Sequence, residues 1–302
     1  MYQTWTWLAF LHWSYEPQVV QRLLPDSLQV HTFEGRAWVG MTPFFLEDLR
    51  TPVAPALPWF TSFPETNVRT YVRGPDGREG LWFFSLDAAR LEPVLVARST
   101  YALPYMWSAM TVERDGATVS YRSRRRWPGP TPAVANITVE VGAALRPQEV
   151  RAFDHYLTAR WQLYTTLGPV LARSNVEHEP WPLHRAAVRE LDGNLVAAAG
   201  LPEPCGRAGG ALVARGADPD QRPAPTGTRL TRPNLAGGCD RGRRRRQDVS
   251  WSWSRVIRPM VGLLPEGSTG APGRARRRLQ YRPPGRRGRP ARRDFCAGRP
   301  RA

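Results

Sequence analysis

The sequence predicts a mainly β protein in which residues 1–204 form a single β-rich barrel or sandwich and residues 205–302 form a disordered tail. Three observations lead to this prediction. Short segments rich in Val, Thr, Tyr, Phe and Trp alternate with turn signals. Few segments show helical spacing of apolar residues. After Pro204 the composition changes abruptly, and Arg, Gly and Pro make up about half of the remaining chain.

The strands are predicted from period-two alternation, aromatic content and the turns between them. Glu34-Gly35, Gly74 to Gly77 and Asp115-Gly116 have the residues that tight turns require. Residues 50–61 contain three prolines, so an irregular loop is expected there; its Trp59 and Phe60 either cover a pocket or cap the core. The predicted strands are residues 3–13, 28–33, 36–45, 65–73, 81–86, 94–99, 110–113, 118–124, 136–141, 186–191 and 195–199.

Two helices are predicted. A short one begins at Pro17, because proline suits the first helical turn, and ends at Pro25. The longer one covers residues 147–163, where apolar side chains recur at helical spacing and Gln148 and Glu149 occupy the first turn.

The hairpin formed by residues 65–73 and 81–86 has an unusual polar face. Alternate residues of its first strand are apolar or Thr, whereas the other face carries a carboxylate, an amide, two guanidiniums and a phenol. Two interpretations stay open: this face is exposed to solvent, or it lines a cavity that binds an anion or a carbonyl. The polar residues concerned are Glu65, Asn67, Arg69, Tyr71 and Arg73.

Several motifs resemble those of a known family. Phe-Pro-Glu-Thr-Asn-Val-Arg-Thr-Tyr-Val at 63–72 and Gly-Leu-Trp-Phe-Phe-Ser-Leu-Asp-Ala at 80–88 stand in order with Trp5 to Trp13, Gly35 to Gly40 and Glu177 to His184. This series, over about residues 1–203, resembles the YqjF-like family of unknown function, a branch of the acetoacetate decarboxylase-like superfamily. The resemblance implies an acetoacetate decarboxylase-like β-barrel.

The resemblance also bears on chemistry. Decarboxylases of the superfamily form an imine on a lysine in a Gly-x-Pro-Lys segment, and the matching segment here is Ala102-Leu103-Pro104-Tyr105. Tyr105 stands where the lysine would be, and the whole chain contains no lysine. Since an arginine cannot form a Schiff base, imine chemistry is excluded; whether the protein is an enzyme stays open.

The sequence therefore predicts binding of a small carbonyl- or carboxylate-bearing molecule inside the barrel, without Schiff-base decarboxylase activity. No cofactor and no metal site are expected, and the oligomeric state is left open. Tyr105 either contacts the ligand or packs at a barrel end, and His12 is either a buried, hydrogen-bonded histidine or a base. The ligand-binding candidates are Glu65, Asn67, Arg69, Tyr71 and Tyr105, with Phe83 and Trp38 as apolar walls.

The net charge of +17 arises almost entirely from the tail, because residues 1–204 are close to neutral. Non-specific nucleic-acid binding through the Arg-rich tail is thus the alternative function. A reading frame shifted near codon 205 of a GC-rich gene would also produce such a tail. The three cysteines all follow Pro204, and no secretory signal or membrane span is recognised, so a cytoplasmic location is expected.

Overall fold

The computed structural model describes residues 2–50, 61–129, 133–204, 211–214, 228–230 and 234–235. Within these ranges the strands are β1 (Tyr2–Thr6), β2 (Leu8–Tyr15), β3 (Gln29–Val30), β4 (Ala37–Arg50), β5 (Phe63–Arg73), β6 (Glu79–Ala88), β7 (Tyr105–Asp115), β8 (Thr118–Trp127), β9 (Val134–Ala144), β10 (Gln162–Leu167), β11 (Val170–Glu177), β12 (Leu183–Gly193), β13 (Ala211–Ala214), β14 (Thr228–Leu230) and β15 (Asn234–Leu235). The helices are α1 (Pro17–Gln21), α2 (Leu91–Tyr101), α3 (Ala152–Thr158) and α4 (Leu195–Ala198), with a 3-10 turn at Pro147–Glu149. No helix in the described part of the chain is long and apolar enough to cross a membrane.

Nine of the described strands close into a barrel. Their hydrogen-bonded order is β2-β4-β5-β6-β7-β8-β9-β12-β13, and β13 pairs again with β2. Within this ring only the pairing of β6 with β7 is parallel. The prediction of a mainly β barrel with few helices is confirmed.

The barrel interior holds an apolar core to which all nine strands contribute. Leu11, Val39, Val68, Ile137 and Val213 are fully buried in it. Alternate residues of each strand point to opposite faces, and one of the two sets contributes to this core. This core therefore occupies the place that the sequence analysis assigned to a ligand.

A second ring of strands lies against the barrel. β1 pairs with β4 and β14, β14 with β11, β11 with β10, and β10 with β6. Because β4, β5 and β6 also pair with one another, they belong to both rings. β5 is consequently buried on both faces, and one of those faces points into the second ring.

The single strand predicted at residues 3–13 is in fact two strands. Trp7 has a positive φ of 52°, which breaks the run into β1 and β2. β1 then pairs with the second half of β4, while β2 pairs with the first half. The break thus lets one aromatic segment serve both rings.

Three other element predictions are wrong. Residues 94–99 lie in α2, where only Val94 is buried and Leu95 and Val96 are exposed. Residues 195–199 overlap α4, because a short apolar run does not distinguish a strand from a helical turn. The predicted helix at 147–163 is a 3-10 turn, then α3, and then the start of β10, because Leu163 and Tyr164 pair with β6.

The sheet continues beyond residue 204, where the sequence analysis placed the domain boundary. β13 fills the gap between β12 and β2, and β14 and β15 pair with β11. The rest of the predicted tail, with its arginine runs and cysteines, lies outside the described residues, as do Trp59 and Phe60.

Candidate functional site

A cavity lies within the second ring, on the side of β5 that faces away from the barrel core. The space open to the centres of water molecules measures about 40 Å³. β1, β5, β6, β10 and β11 provide most of its walls. The rest comes from β2, the start of β7 and Leu103 before it, the end of α3 and the turn after it, and the segment after β11. The lining residues are Gln3, Trp5, Phe10, Glu65, Asn67, Arg69, Leu81, Phe83, Leu86, Leu103, Tyr105, Thr158, Arg160, Leu163, Val176, His178 and Trp181.

The polar face of β5 points inward. Glu65, Asn67 and Arg69 are 3%, 1% and 4% exposed, and all three line the cavity. Of the alternate residues on the opposite face, Val68 lies in the barrel core. Of the two interpretations of the polar face, the cavity-lining one is therefore correct along residues 65–69.

Glu65 is a buried acid next to a phenol. The Tyr105 hydroxyl donates a hydrogen bond to Glu65 Oε2 over 3.2 Å. Burial raises the pKa of Glu65 to about 8, an effect that the Tyr105 hydrogen bond opposes and the nearby Asp87 carboxylate reinforces. At neutral pH Glu65 is thus mostly protonated and can donate a hydrogen bond. The hydroxyl of Tyr105 is equally protonated, because burial and Glu65 raise its pKa further.

Arg69 is a buried cation with few partners. Its Nη2 donates to the carbonyl oxygen of Leu157, at the end of α3, over 3.4 Å. Its guanidinium lies 5.4 Å from the ring centroid of Phe10. Nε has no hydrogen-bond partner among the described residues. Burial lowers the pKa of Arg69, but the high intrinsic value keeps a guanidinium charged at neutral pH.

The side chain of Asn67 is hydrogen-bonded to a residue of β4. The Thr42 hydroxyl donates a short hydrogen bond to Asn67 Oδ1, and both side chains are buried. The Asn67 amide is therefore oriented by its hydrogen bond to β4.

Two of the predicted ligand-binding residues do not line the cavity. Tyr71 is fully buried, but its hydroxyl donates to the Leu157 carbonyl oxygen over 2.7 Å and lies 2.7 Å from His12 Nε2. Trp38 packs against Phe153, with ring centroids 4.5 Å apart. Both side chains thus pack beside the cavity rather than lining it, whereas Phe83 does line it.

His12 is a buried, hydrogen-bonded histidine. Because the single proton of the Tyr71 hydroxyl goes to Leu157, His12 Nε2 carries the proton that it donates to Tyr71. Burial first, and then the charge of Arg69, hold the pKa of His12 well below its usual range. The ring is therefore neutral, and it braces Tyr71.

The sequence analysis missed several lining residues. Arg160 falls inside the predicted helix at residues 147–163, and His178 was not among the ligand-binding candidates. His178 is stacked between Trp161 and Trp181, with centroid distances of 5.9 and 4.8 Å. The segment 177–184 had been singled out as one of the characteristic motifs, which was the available signal for His178. No comparable signal marked Arg160, because its place depends on where α3 ends.

Other kinds of site find no support among the described residues. No group of three or more His, Cys, Asp or Glu side chains that could hold a metal ion occurs within them. The Arg-rich segments on which nucleic-acid binding depends lie outside the described ranges.

Comparisons with known proteins place this fold and site in context. Residues 2–218 match the model of DUF2071, which is described as an uncharacterized conserved protein. The chain is 36% identical over 196 residues to the uncharacterized protein YqjF of Bacillus subtilis strain 168, an alignment that covers 65% of this chain and 79% of that protein.

Solved structures show the same fold at low sequence identity. Acetoacetate decarboxylase from Legionella pneumophila superposes with a TM-score of 0.54 at 14% identity, covering 78% of this chain and 87% of the other. The enduracididine biosynthesis enzyme MppR, complexed with pyruvate, superposes with a TM-score of 0.52 at 14% identity, covering 78% and 89%.

Proposed function

The chain belongs to the DUF2071 family, and from that premise we propose that its cavity beside β5 binds a small molecule bearing a carbonyl or carboxylate group, without forming an imine. The observation that carries this proposal is Arg69. It is a buried guanidinium in the wall of a mainly apolar cavity, and no carboxylate among the described residues pairs with it. An unpaired buried charge is costly, and a bound carboxylate removes that cost.

Glu65 and Tyr105 supply the second half of the recognition. With Glu65 protonated at neutral pH, its carboxyl O–H is a hydrogen-bond donor on the cavity wall, and the hydrogen bond that Oε2 accepts from Tyr105 orients this group. A ligand carbonyl oxygen is an acceptor and matches the Glu65 O–H. The proposed pose therefore directs the carboxylate to Arg69 and the carbonyl to the Glu65–Tyr105 pair.

The size of the cavity limits the ligand. One water molecule needs about 10–15 Å³ of the space that is open to water centres. The 40 Å³ of this cavity therefore corresponds to roughly three water molecules. A ligand with a few heavy atoms fits without movement of the walls. The pyruvate bound to MppR, which shares this fold, supports a small oxo acid.

Direct binding measurements test the proposal. Pyruvate is titrated into the full chain by calorimetry, and Arg69→Gln is compared with wild type. We expect a loss in affinity of about tenfold or more, because hydrogen bonds to charged groups contribute about 1.5–3 kcal/mol. Arg73→Gln is the matched control, since Arg73 lies on the same strand, is exposed and does not line the cavity.

Two results would overturn the proposal: no binding of pyruvate or of other small oxo acids and carboxylates, or equal affinity in wild type and Arg69→Gln. Melting curves of the ligand-free variants show whether each is folded. Borohydride treatment in the presence of pyruvate adds no mass to any side chain, because the chain has no lysine.

A further inference from the structure

In the cavity lining, buried hydrogen-bond donors lack partners, whereas buried acceptors do not. Four buried side-chain atoms of its lining residues have no hydrogen-bond partner among the described residues: Trp5 Nε1, Arg69 Nε, and Nε and Nη2 of Arg160. All four are N–H donors, and no lining residue leaves a buried side-chain oxygen unpaired. Buried donors are normally satisfied, so this lining fits a ligand rich in acceptor atoms.

Arg160 is the second cation of this wall. It lies two residues after the end of α3, and its side chain is 8% exposed. Its guanidinium lies 5.1 Å from the ring centroid of Tyr71 and 4.8 Å from that of Tyr156, which fixes its plane. Its one carboxylate neighbour among the described residues is Glu79, at 3.9 Å, and Glu79 is 43% exposed and also pairs with Arg73. Glu79 therefore compensates Arg160 only partly.

The two arginines lie close enough to act on each other. The positive charge of Arg160 is among the causes that lower the pKa of Arg69, and both act on the Tyr71 hydroxyl. The one acidic residue of the cavity lining, Glu65, is neutral at neutral pH and so adds no negative charge. The site thus carries close to two positive charges that the surrounding side chains do not neutralise.

Resting on the proposed function, we infer that Arg160 forms a second anion subsite in the same cavity, so that the ligand is a short dicarboxylate, with one carboxylate on Arg69 and the other on Arg160. Such a ligand supplies acceptors to the unpaired donors and balances both charges. The small cavity requires the two carboxylates to be separated by only one or two carbon atoms.

A purely structural role is the competing explanation of Arg160. In that case the residue packs on Tyr71 and Tyr156 and pairs with Glu79, and its loss lowers stability without changing which ligand is preferred. Ligand preference, rather than stability, is therefore the decisive measurement.

The test compares malonate, monomethyl malonate and propionate on the full chain by calorimetry. Malonate has two carboxylates, monomethyl malonate retains the backbone with one of them esterified, and propionate has one. Wild type is expected to bind malonate at least about tenfold more tightly than either monocarboxylate, which corresponds to one charge-assisted contact. Arg160→Gln is expected to abolish this preference while leaving propionate affinity within about twofold of wild type.

Two further variants make the result specific. Arg73→Gln also removes an arginine partner of Glu79 but does not line the cavity, so it is expected to keep the malonate preference. Arg160→Lys retains the charge and is expected to retain part of the preference, which separates the charge from the fold of the variant.

The outcomes distinguish the inference from its premise. If none of the three probes, nor pyruvate, binds, the proposed function itself fails. If propionate binds but malonate is not preferred, or if Arg160→Gln weakens both ligands equally, Arg160 is no separate subsite and the inference is overturned while the proposed function stands.

Discussion

At the scale of single residues, neighbouring positions on one strand face carry out different tasks. Glu65 and Arg69 line the cavity, whereas Tyr71, two residues further, points into a cluster with His12 and the end of α3. All are buried, and the difference lies in their hydrogen-bond partners. The buried ionisable groups at 65 and 69 have few partners, which is typical of a binding site rather than of a structural network.

The first prediction concerns the pH dependence of stability through Glu65. Its pKa in the folded state is about 8, above the ordinary value of about 4.3 in an unfolded chain. The folded state therefore holds a proton that the unfolded state releases, and the free energy of unfolding decreases as pH rises between these two values. Glu65→Gln has no such proton, so this decrease is absent from it. The slope of its free energy of unfolding against pH therefore differs from that of wild type by up to about 1.4 kcal/mol per pH unit.

Urea unfolding of wild type and Glu65→Gln from about pH 5 to about pH 9 measures this difference. Glu113→Gln is the control, since Glu113 is exposed on β7, and we expect it to keep the wild-type slope. Identical slopes for wild type and Glu65→Gln would show that Glu65 titrates at its ordinary pKa.

The second prediction concerns the hydroxyl of Tyr71. Tyr71→Phe removes the acceptor of His12 Nε2–H and a donor to Leu157 O, both in the buried interior. We expect a loss of about 1–3 kcal/mol in the free energy of unfolding, because one buried polar group remains unsatisfied. A double-mutant cycle with His12→Phe measures the coupling, which should be well above zero. Additive losses would mean that His12 does not depend on Tyr71.

At the scale of elements, β5 carries the site because it is shared by two rings. One of its faces joins the apolar barrel core, and the other forms the cavity wall. The end of α3 faces the same cavity and offers the Leu157 carbonyl to Arg69 and Tyr71. The site is thus built on a strand and a helix end rather than on a flexible loop, which favours precise positioning.

The third prediction concerns the approach of β2 to β4. Gly40 pairs with His12, and a Cβ at position 40 would lie 2.6 Å from His12 Nε2 and 2.9 Å from its Cδ2. The histidine ring cannot move away from this Cβ, since it is buried and hydrogen-bonded to Tyr71. Gly40→Ala is therefore expected to cost about 1–3 kcal/mol of stability, as overpacking of a dense core does.

Thermal and urea unfolding of Gly40→Ala measure that cost. In a His12→Ala background the clash disappears, so the same substitution should cost much less there. A cost that does not change between the two backgrounds would place the strain elsewhere on β4.

At the scale of the whole molecule, closure of the barrel depends on residues that follow Pro204. β13 pairs on one side with β12 and on the other with β2, and its Leu212, Val213 and Ala214 are buried. Without this strand, two long edges of the barrel lack hydrogen-bond partners, and unpaired edges promote aggregation.

The fourth prediction follows from this closure. A chain that ends at residue 204 is expected to aggregate or to lose cooperative unfolding, whereas a chain that ends at residue 240 keeps β13, β14 and β15 and melts cooperatively. Circular dichroism melting and size-exclusion chromatography of both chains measure this. Val213→Asp in the full chain should destabilise in the same direction, because it buries an unpaired charge in the barrel core. Equal melting of the two truncated chains would show that β13 is dispensable.

The sequence by itself determined the period-two pattern of β5, the grouping of Glu65, Asn67 and Arg69 on one face, and the absence of any lysine side chain that could form an imine. Alternation identifies which residues share a face, since it is a local property of the extended chain. The family motifs added the barrel, which the structure confirms.

Only the tertiary structure decided which way that face points and which residues of other elements lie against it. Residues 65 and 105, or 69 and 160, are brought together by strand pairings across long stretches of chain, and period alone does not specify them. For the same reason the sequence grouped Tyr71 and Trp38 with residues that line the cavity, and it did not indicate Arg160. Its helical pattern ran on past residue 158, whereas pairing with β6 turns the chain into β10 and so brings Arg160 to the cavity wall.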